Sequence, residues 1–269
     1  MSAPPTRPKP VTVPDFLSAR ARGVKLTVLT GYDYTFARLL DESGVDAILV
    51  GDSLGMVVQG HTTALPVTLD EIIYHTRCVG RGTHRAMVIA DLPFMTFQLS
   101  PTQALESAGR LMKEAGAHAV KLEGGERTAD AIAAVVRADI PVMGHVGLTP
   151  QSVHRFGGFK VQRQEEQLLR DAKAVEEAGA FAVVVECVPG ELGAKVTQAL
   201  SIPTIGIGAG PACDGQVLVL QDMLGLYGDL RPKFVKRYAD LGAAVRKAVE
   251  VYCQEVRTGE FPTDEYSFR

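Results

Sequence analysis

Apolar residues gather along this chain in short runs. Seven are clear: Leu26–Thr30, Ala47–Val50, Ala86–Ala90, Ala119–Lys121, Pro141–Gly144, Ala182–Val185 and Thr204–Ile207. A weaker eighth lies near Gln216–Leu220. Runs this short and this rich in β-branched residues predict strands buried on both faces, as in a parallel sheet covered by helices. The polar stretches between them carry helix punctuation. Three charged segments each end in a glycine: Asp41-Glu42-Ser43-Gly44, Lys113-Glu114-Ala115-Gly116 and Glu176-Glu177-Ala178-Gly179. Glycine there supplies a left-handed helix cap, and the next strand follows. Thr68-Leu69-Asp70-Glu71 and Ser100-Pro101-Thr102-Gln103 read as capping boxes, and Thr149-Pro150 as a further helix start. Eight βα units in one chain predict an α/β fold, a closed (β/α)8 TIM barrel rather than an open doubly wound sheet.

Residues 234–257 read as a helix and 261–269 as a surface strap. No linker divides the chain, so residues 21–269 are expected to form one barrel domain. Residues 1–20 are expected to be a proline-rich N-terminal arm. Five prolines and no apolar core in Met1–Pro14 fit neither a secretory leader nor a helix.

Bulk numbers narrow the function. A chain of 269 residues buries enough surface to need no staples. Net charge is −3 and Lys and Arg do not cluster, so nucleic acid is not expected as a partner. No apolar stretch reaches the length of a membrane span. Cys78, Cys187, Cys213 and Cys253 are scattered without a C-x-x-C pair, which argues for free thiols in a reducing, cytoplasmic setting and against zinc.

The strand ends carry the chemistry. Four runs close on an acid: Asp52, Asp91, Glu123 and Glu186. In a parallel α/β fold all carboxyl ends of strands share one face, so these acids are expected at one mouth. Like charges gather in a dry cleft only with a cation, a shared proton or a substrate to compensate them. Any one of them alone would read as a cap or turn acid. Oxygen ligands without Cys or His suit Mg²⁺, which can chelate a 2-oxo acid and stabilise its enolate. Glu186 follows three valines, the apolar setting of a general acid or base, although an ion pair with a buried Lys or Arg fits the same pattern. Lys121 falls on the same side of its strand as Glu123, either to bind a substrate anion or as a structural ion pair. His145 is either a ligand-binding or a core histidine. Gly206-Ile207-Gly208-Ala209-Gly210 is not the dinucleotide fingerprint and reads as a tight turn against a ligand or a neighbouring loop.

Taken together, Val50-Gly51-Asp52-Ser53-Leu54-Gly55-Met56, Ala90–Met95, Val120–Gly125, Gly144–Ser152 and Glu186-Cys187-Val188-Pro189 resemble the signatures of the ketopantoate hydroxymethyltransferase family. Gly206–Gly210, Asp214-Gly215-Gln216 and Ser267-Phe268 match as well. The resemblance runs from about Thr30 to the end of the chain. It implies a barrel of the phosphoenolpyruvate/pyruvate type, usually a homodecamer. It implies Mg²⁺ at Asp52 and Asp91 with Glu123 in or beside the coordination sphere. It implies a 2-oxo acid bound by Asp52, Ser53, Asp91 and Lys121, with Glu186 as the proton acceptor. The implied reaction moves a hydroxymethyl group from 5,10-methylenetetrahydrofolate to 3-methyl-2-oxobutanoate through a Mg-stabilised enolate, in pantothenate biosynthesis. The alternative is a Mg-dependent 2-oxo-acid lyase or mutase of the same superfamily, relatives that commonly use a loop cysteine. A catalytically silent scaffold would be expected to lose the acids, and all four are present. One departure stands out: Arg163-Gln164-Glu165-Glu166-Gln167 is shorter than in many relatives.

Overall fold

The eight apolar runs become the eight strands of a closed parallel barrel in the computed structural model, which describes residues 9–228 and 232–268. They are β1 (Leu26–Thr30), β2 (Ala47–Val50), β3 (Met87–Asp91), β4 (Ala119–Glu123), β5 (Val142–Gly147), β6 (Ala182–Glu186), β7 (Thr204–Ile207) and β8 (Gly215–Leu218). Each pairs with the next, and β8 closes on β1. Leu220, expected at the end of the last strand, instead begins a helix. Strands β2, β3 and β4 are buried at every position, as both-face burial requires.

The register places the chemistry. Asp91 stands opposite Lys121, Glu123 opposite His145, and Gly147 opposite Glu186. The first two pairs thus bring polar side chains side by side at the carboxyl ends, and the third sets Glu186 next to them.

The helices around the barrel are α1 (Val13–Ala21), α2 (Tyr34–Glu42), α3 (Leu54–Val57), α4 (Leu69–Gly82), α5 (Pro101–Ala115), α6 (Ala129–Val136), α7 (Val153–Phe156), α8 (Glu165–Glu177) and α9 (Gly190–Ala199). Thr68 and Glu71 form the expected capping box. The Ser100 hydroxyl accepts from Gln103 N–H, but the Gln103 amide reaches back to Leu99 N–H rather than to Ser100. Gly116 takes a left-handed φ of +73°, as its place after α5 predicted. Thr149-Pro150 opens only a 3₁₀ turn, Pro150–Ser152, followed by the one-turn α7. Gly144 lets α8 approach β5: a Cβ there would lie 2.2 Å from Val175 Cγ1.

Of the expected arm, residues 1–8 lie outside the described residues, and residues 13–20 fall in α1. Asp15 accepts from the Thr12 backbone N–H and hydroxyl, and Pro14 sits in the first turn, where its missing N–H costs nothing. Phe16 is fully buried and meets Phe181 edge to face, 5.7 Å between centroids. Arg20 donates to Thr197 and Leu200 carbonyls and pairs with Asp214. Burial and pairing make this segment part of the structured chain.

The chain divides into two compact units, Met1–Val219 and Leu220–Arg269. The first holds the whole barrel, since the sheet closes on itself at Leu218. The second holds α10 (Leu220–Met223) and α11 (Leu241–Thr258). The helix expected over 234–257 starts later because Tyr238 N–H bonds Met223 O, Leu241 N–H bonds Leu224 O, and Asp240 then caps Ala243. All four cysteines are free, and no helix among the described residues is long and apolar enough to cross a membrane.

Candidate active site

Asp52 follows β2 in the turn that leads into α3, while Asp91 and Glu123 are the last residues of β3 and β4. All three are buried, and one carboxylate oxygen from each lies within 4.8 Å of the others. Lys121, also buried, places Nζ 2.8 Å from Asp91 Oδ1 and 3.9 Å from Glu123 Oε1. His145 continues the row. Its Nδ1 is 3.4 Å from Glu123 Oε1, and its Nε2 is 3.1 Å from Glu186 Oε2. Glu186, at the end of β6, keeps 14% of its side chain exposed and is the most open of the four acids.

Electrostatics follow from this packing. Burial first, then Asp91 and Glu123, hold the Asp52 carboxyl well above the ordinary carboxylate range. Burial also raises Asp91, although Lys121 opposes the rise. Burial alone would discharge Lys121, but Asp91, Glu123 and Asp52 outweigh it and keep the ammonium charged. His145 is likewise opposed by burial and by Lys121, yet Glu123 and Glu186 lift it to about 9, so it is protonated at neutral pH. Fully ionised, the three carboxylates outnumber Lys121 and His145 by one negative charge.

The donor set fits a hard divalent cation. It is oxygen only and buried, and Glu123 Oε1 accepts no hydrogen bond among the described residues, its contacts with His145 and Lys121 being ion pairs at 3.4 and 3.9 Å. Asp52, Asp91 and Glu123 are the residues that would hold such an ion.

Two contributors were not singled out on sequence. Gln151, in the 3₁₀ turn after β5, donates from Nε2 to Asp52 Oδ2 at 2.9 Å and to Leu92 O at 3.0 Å. Its backbone N–H donates to Glu123 Oε2 at 3.0 Å, and its amide oxygen accepts from Gln98 at 2.9 Å. Tyr32, two residues past β1, places its hydroxyl 2.8 Å from Ser53 Oγ. Its only sequence signal is position: β1 is one of the strands that does not end on an acid. The structure therefore brings Asp52, Asp91, Lys121, Glu123 and Glu186 to one mouth, with Ser53 half-buried beside Asp52. The glycine run 206–210 is a tight turn against α9: a Cβ on Gly193 would lie 2.1 Å from Ala209 O.

The family model described as ketopantoate hydroxymethyltransferase matches residues 10–264. The 3-methyl-2-oxobutanoate hydroxymethyltransferase of Trichlorobacter lovleyi is 58% identical over 263 residues, covering 97% of this chain and 99% of its own. The chain belongs to the ketopantoate hydroxymethyltransferase family. Among solved structures, phosphonopyruvate hydrolase complexed with oxalate and Mg²⁺ superposes with a TM-score of 0.63 at 16% identity, covering 96% of this chain and 92% of its own. The 2,3-dimethylmalate lyase of the PEP mutase/isocitrate lyase superfamily gives 0.60 at 18% identity, over 95% and 91%. At that identity the likeness concerns the fold: this hydroxymethyltransferase-family chain shares the barrel of that superfamily.

Proposed function

We propose that the chain transfers a hydroxymethyl group from 5,10-methylenetetrahydrofolate to 3-methyl-2-oxobutanoate, giving ketopantoate. The observation that carries this reading is a buried carboxylate triad with a fourth, more open carboxylate, Glu186, two strands away. Asp52, Asp91 and Glu123 would hold a divalent cation, read as Mg²⁺, whose positive charge would polarise the oxo acid and so acidify its C3–H.

The chain's own groups do the rest. Lys121 offsets the carboxylates and offers an ammonium to the substrate. Ser53, aligned by Tyr32, lines the same mouth. Glu186 stands outside the triad, so it remains available as the base that takes the C3 proton. His145, charged at neutral pH, holds Glu186 on one side and Glu123 on the other. Water opens the folate's methylene bridge, breaking both C–N bonds to release tetrahydrofolate and a carbon at the formaldehyde level; the deprotonated C3 adds to that carbon, and its oxygen takes up a proton to become the new hydroxyl of ketopantoate.

The lyase or mutase alternative leans on a loop thiolate. Burial first, then Glu186, push the Cys187 thiol up to about 12, so it stays protonated at neutral pH. Neither Cys187 nor Cys213 stands in a version of the catalytic loop those relatives use, and this favours the transferase. The test is exchange of the oxo acid's C3 proton in D₂O without folate. Exchange that requires Mg²⁺ and is lost in Glu186→Gln supports the reading, and exchange undiminished in that variant contradicts it.

A further inference from the structure

A cavity of about 370 Å³ opens behind the site. From β5 it takes Val146, not the His145 that faces the triad, and from α8 it takes Leu168 and Asp171. It therefore lies between the strands and α8, outside the barrel interior. This is the size of a small-molecule pocket.

Its charges are unevenly satisfied. Arg127 and Arg155 both line it, and neither makes a hydrogen bond or ion pair among the described residues. The acids in the wall are already engaged. Asp171 Oδ1 accepts from the Glu126 backbone N–H at 2.9 Å. Glu126 Oε2 accepts from Gln167 Nε2 at 3.0 Å and lies 3.7 Å from Arg170 Nε. Gly125 permits that arrangement, since a Cβ there would sit 2.0 Å from Asp171 Oδ1. Partial burial and the like charge of Arg155 both work against the Arg127 cation, while Asp171 works for it. Both arginines are exposed, and Asp171 offsets the charge of Arg127 but bonds neither guanidinium; an anion bound between the two would offset their mutual repulsion.

We propose that this cavity binds a small anionic ligand, with Arg127 and Arg155 gripping its carboxylate or phosphate groups. Gln164 supplies an amide for the rest of the ligand, whereas Gln162 and Gln167 are engaged with Lys160 O, Glu126 and Arg170 and shape the wall. The cavity communicates with the site through one stretch of chain. Gly147 and Thr149 line it, the intervening Leu148 N–H donates to Glu186 O at 2.9 Å, and Gln151 N–H holds Glu123. The anion has two possible sources: the glutamate tail of the folate co-substrate, or a free polyanion acting beside the reaction.

Calorimetry on the intact protein at fixed ionic strength, with inorganic phosphate, citrate and triglutamate as probes, tests the site. Saturable binding of at least one probe is expected. Each guanidinium lost should weaken it about tenfold, and R127Q–R155Q about a hundredfold. Arg22→Gln removes the same charge near the amino end of β1 and should leave binding unchanged. Far-UV circular dichroism checks that the double variant folds, as two arginines without partners should allow. No saturable binding of any probe, or equal binding by wild type and double variant, overturns the proposal. These readouts do not depend on turnover, so they stand or fall apart from the transferase reading. Steady-state kinetics then separate the sources. A raised KM for methylenetetrahydrofolate triglutamate, with the oxo-acid KM unchanged, assigns the tail. Lost probe binding with both KM values unchanged assigns a free anion.

Discussion

Asp52 can ligate a cation only as a carboxylate, yet burial and its acidic neighbours favour its protonated form. Cation binding should therefore expel a proton, and affinity should fall as pH is lowered. Titrating Mg²⁺ in buffers of different ionisation enthalpy checks this: buffer-dependent heat is expected, and identical heats would contradict it. Gln151 bridges Asp52, Leu92 O and Glu123, so Gln151→Leu should weaken Mg²⁺ about 10- to 100-fold without unfolding the chain. Glu186→Gln should bind Mg²⁺ normally while turnover falls about 10²- to 10⁴-fold. The acids were legible in the sequence because each closes an apolar run, a local signal. Gln151 was not, because its bond to Asp52 joins residues 99 positions apart and leaves no local pattern. Tyr32 was missed for the same reason: its link to Ser53 spans two strands.

Elements carry the site through register and close backbone approach. Gly147 has φ +92°, and a Cβ there would meet Glu186 O at 2.3 Å. Gly147→Ala should destabilise the fold by about 1–3 kcal/mol and lower turnover together, because the strain falls on the residue paired with Glu186. Gly109, inside α5, is the converse case: it has open space around its Cβ position and an ordinary helical φ. Gly109→Ala should stabilise by about 1 kcal/mol. Denaturant melts of both variants, with activity assays, separate the two effects. Element positions were readable from the apolar runs: β1, β2 and β7 begin and end where the apolar pattern does, β2 and β7 buried at every position and β1 with Thr27 exposed. Helix starts were less legible where backbone pairing intervened, as before α11, or where a turn closed early, as at Pro150.

At the scale of the whole molecule, eight strands collect acids from distant parts of the chain at one mouth, and closure at Leu218 completes the barrel. The second unit has a different character. In α11, Val245, Val249, Tyr252 and Val256 are exposed at helical spacing, and none of the helix's residues is buried. Tyr252 meets Phe261 edge to face at 5.9 Å, but the three valines stay exposed, and an 18-residue helix with so exposed an apolar face gains little stability by itself. Self-association through this face is expected, and static light scattering should report a homo-oligomer that Val249→Glu weakens.

Joining a one-carbon unit to a 2-oxo acid is the reaction assigned to the carboxylate mouth. It is tested most directly by ketopantoate formation from 3-methyl-2-oxobutanoate and 5,10-methylenetetrahydrofolate, with Mg²⁺ and with a chelator. Product that requires both the folate and the metal is expected. Cleavage of a 2-oxo-acid substrate with no dependence on folate, and no ketopantoate, would contradict it.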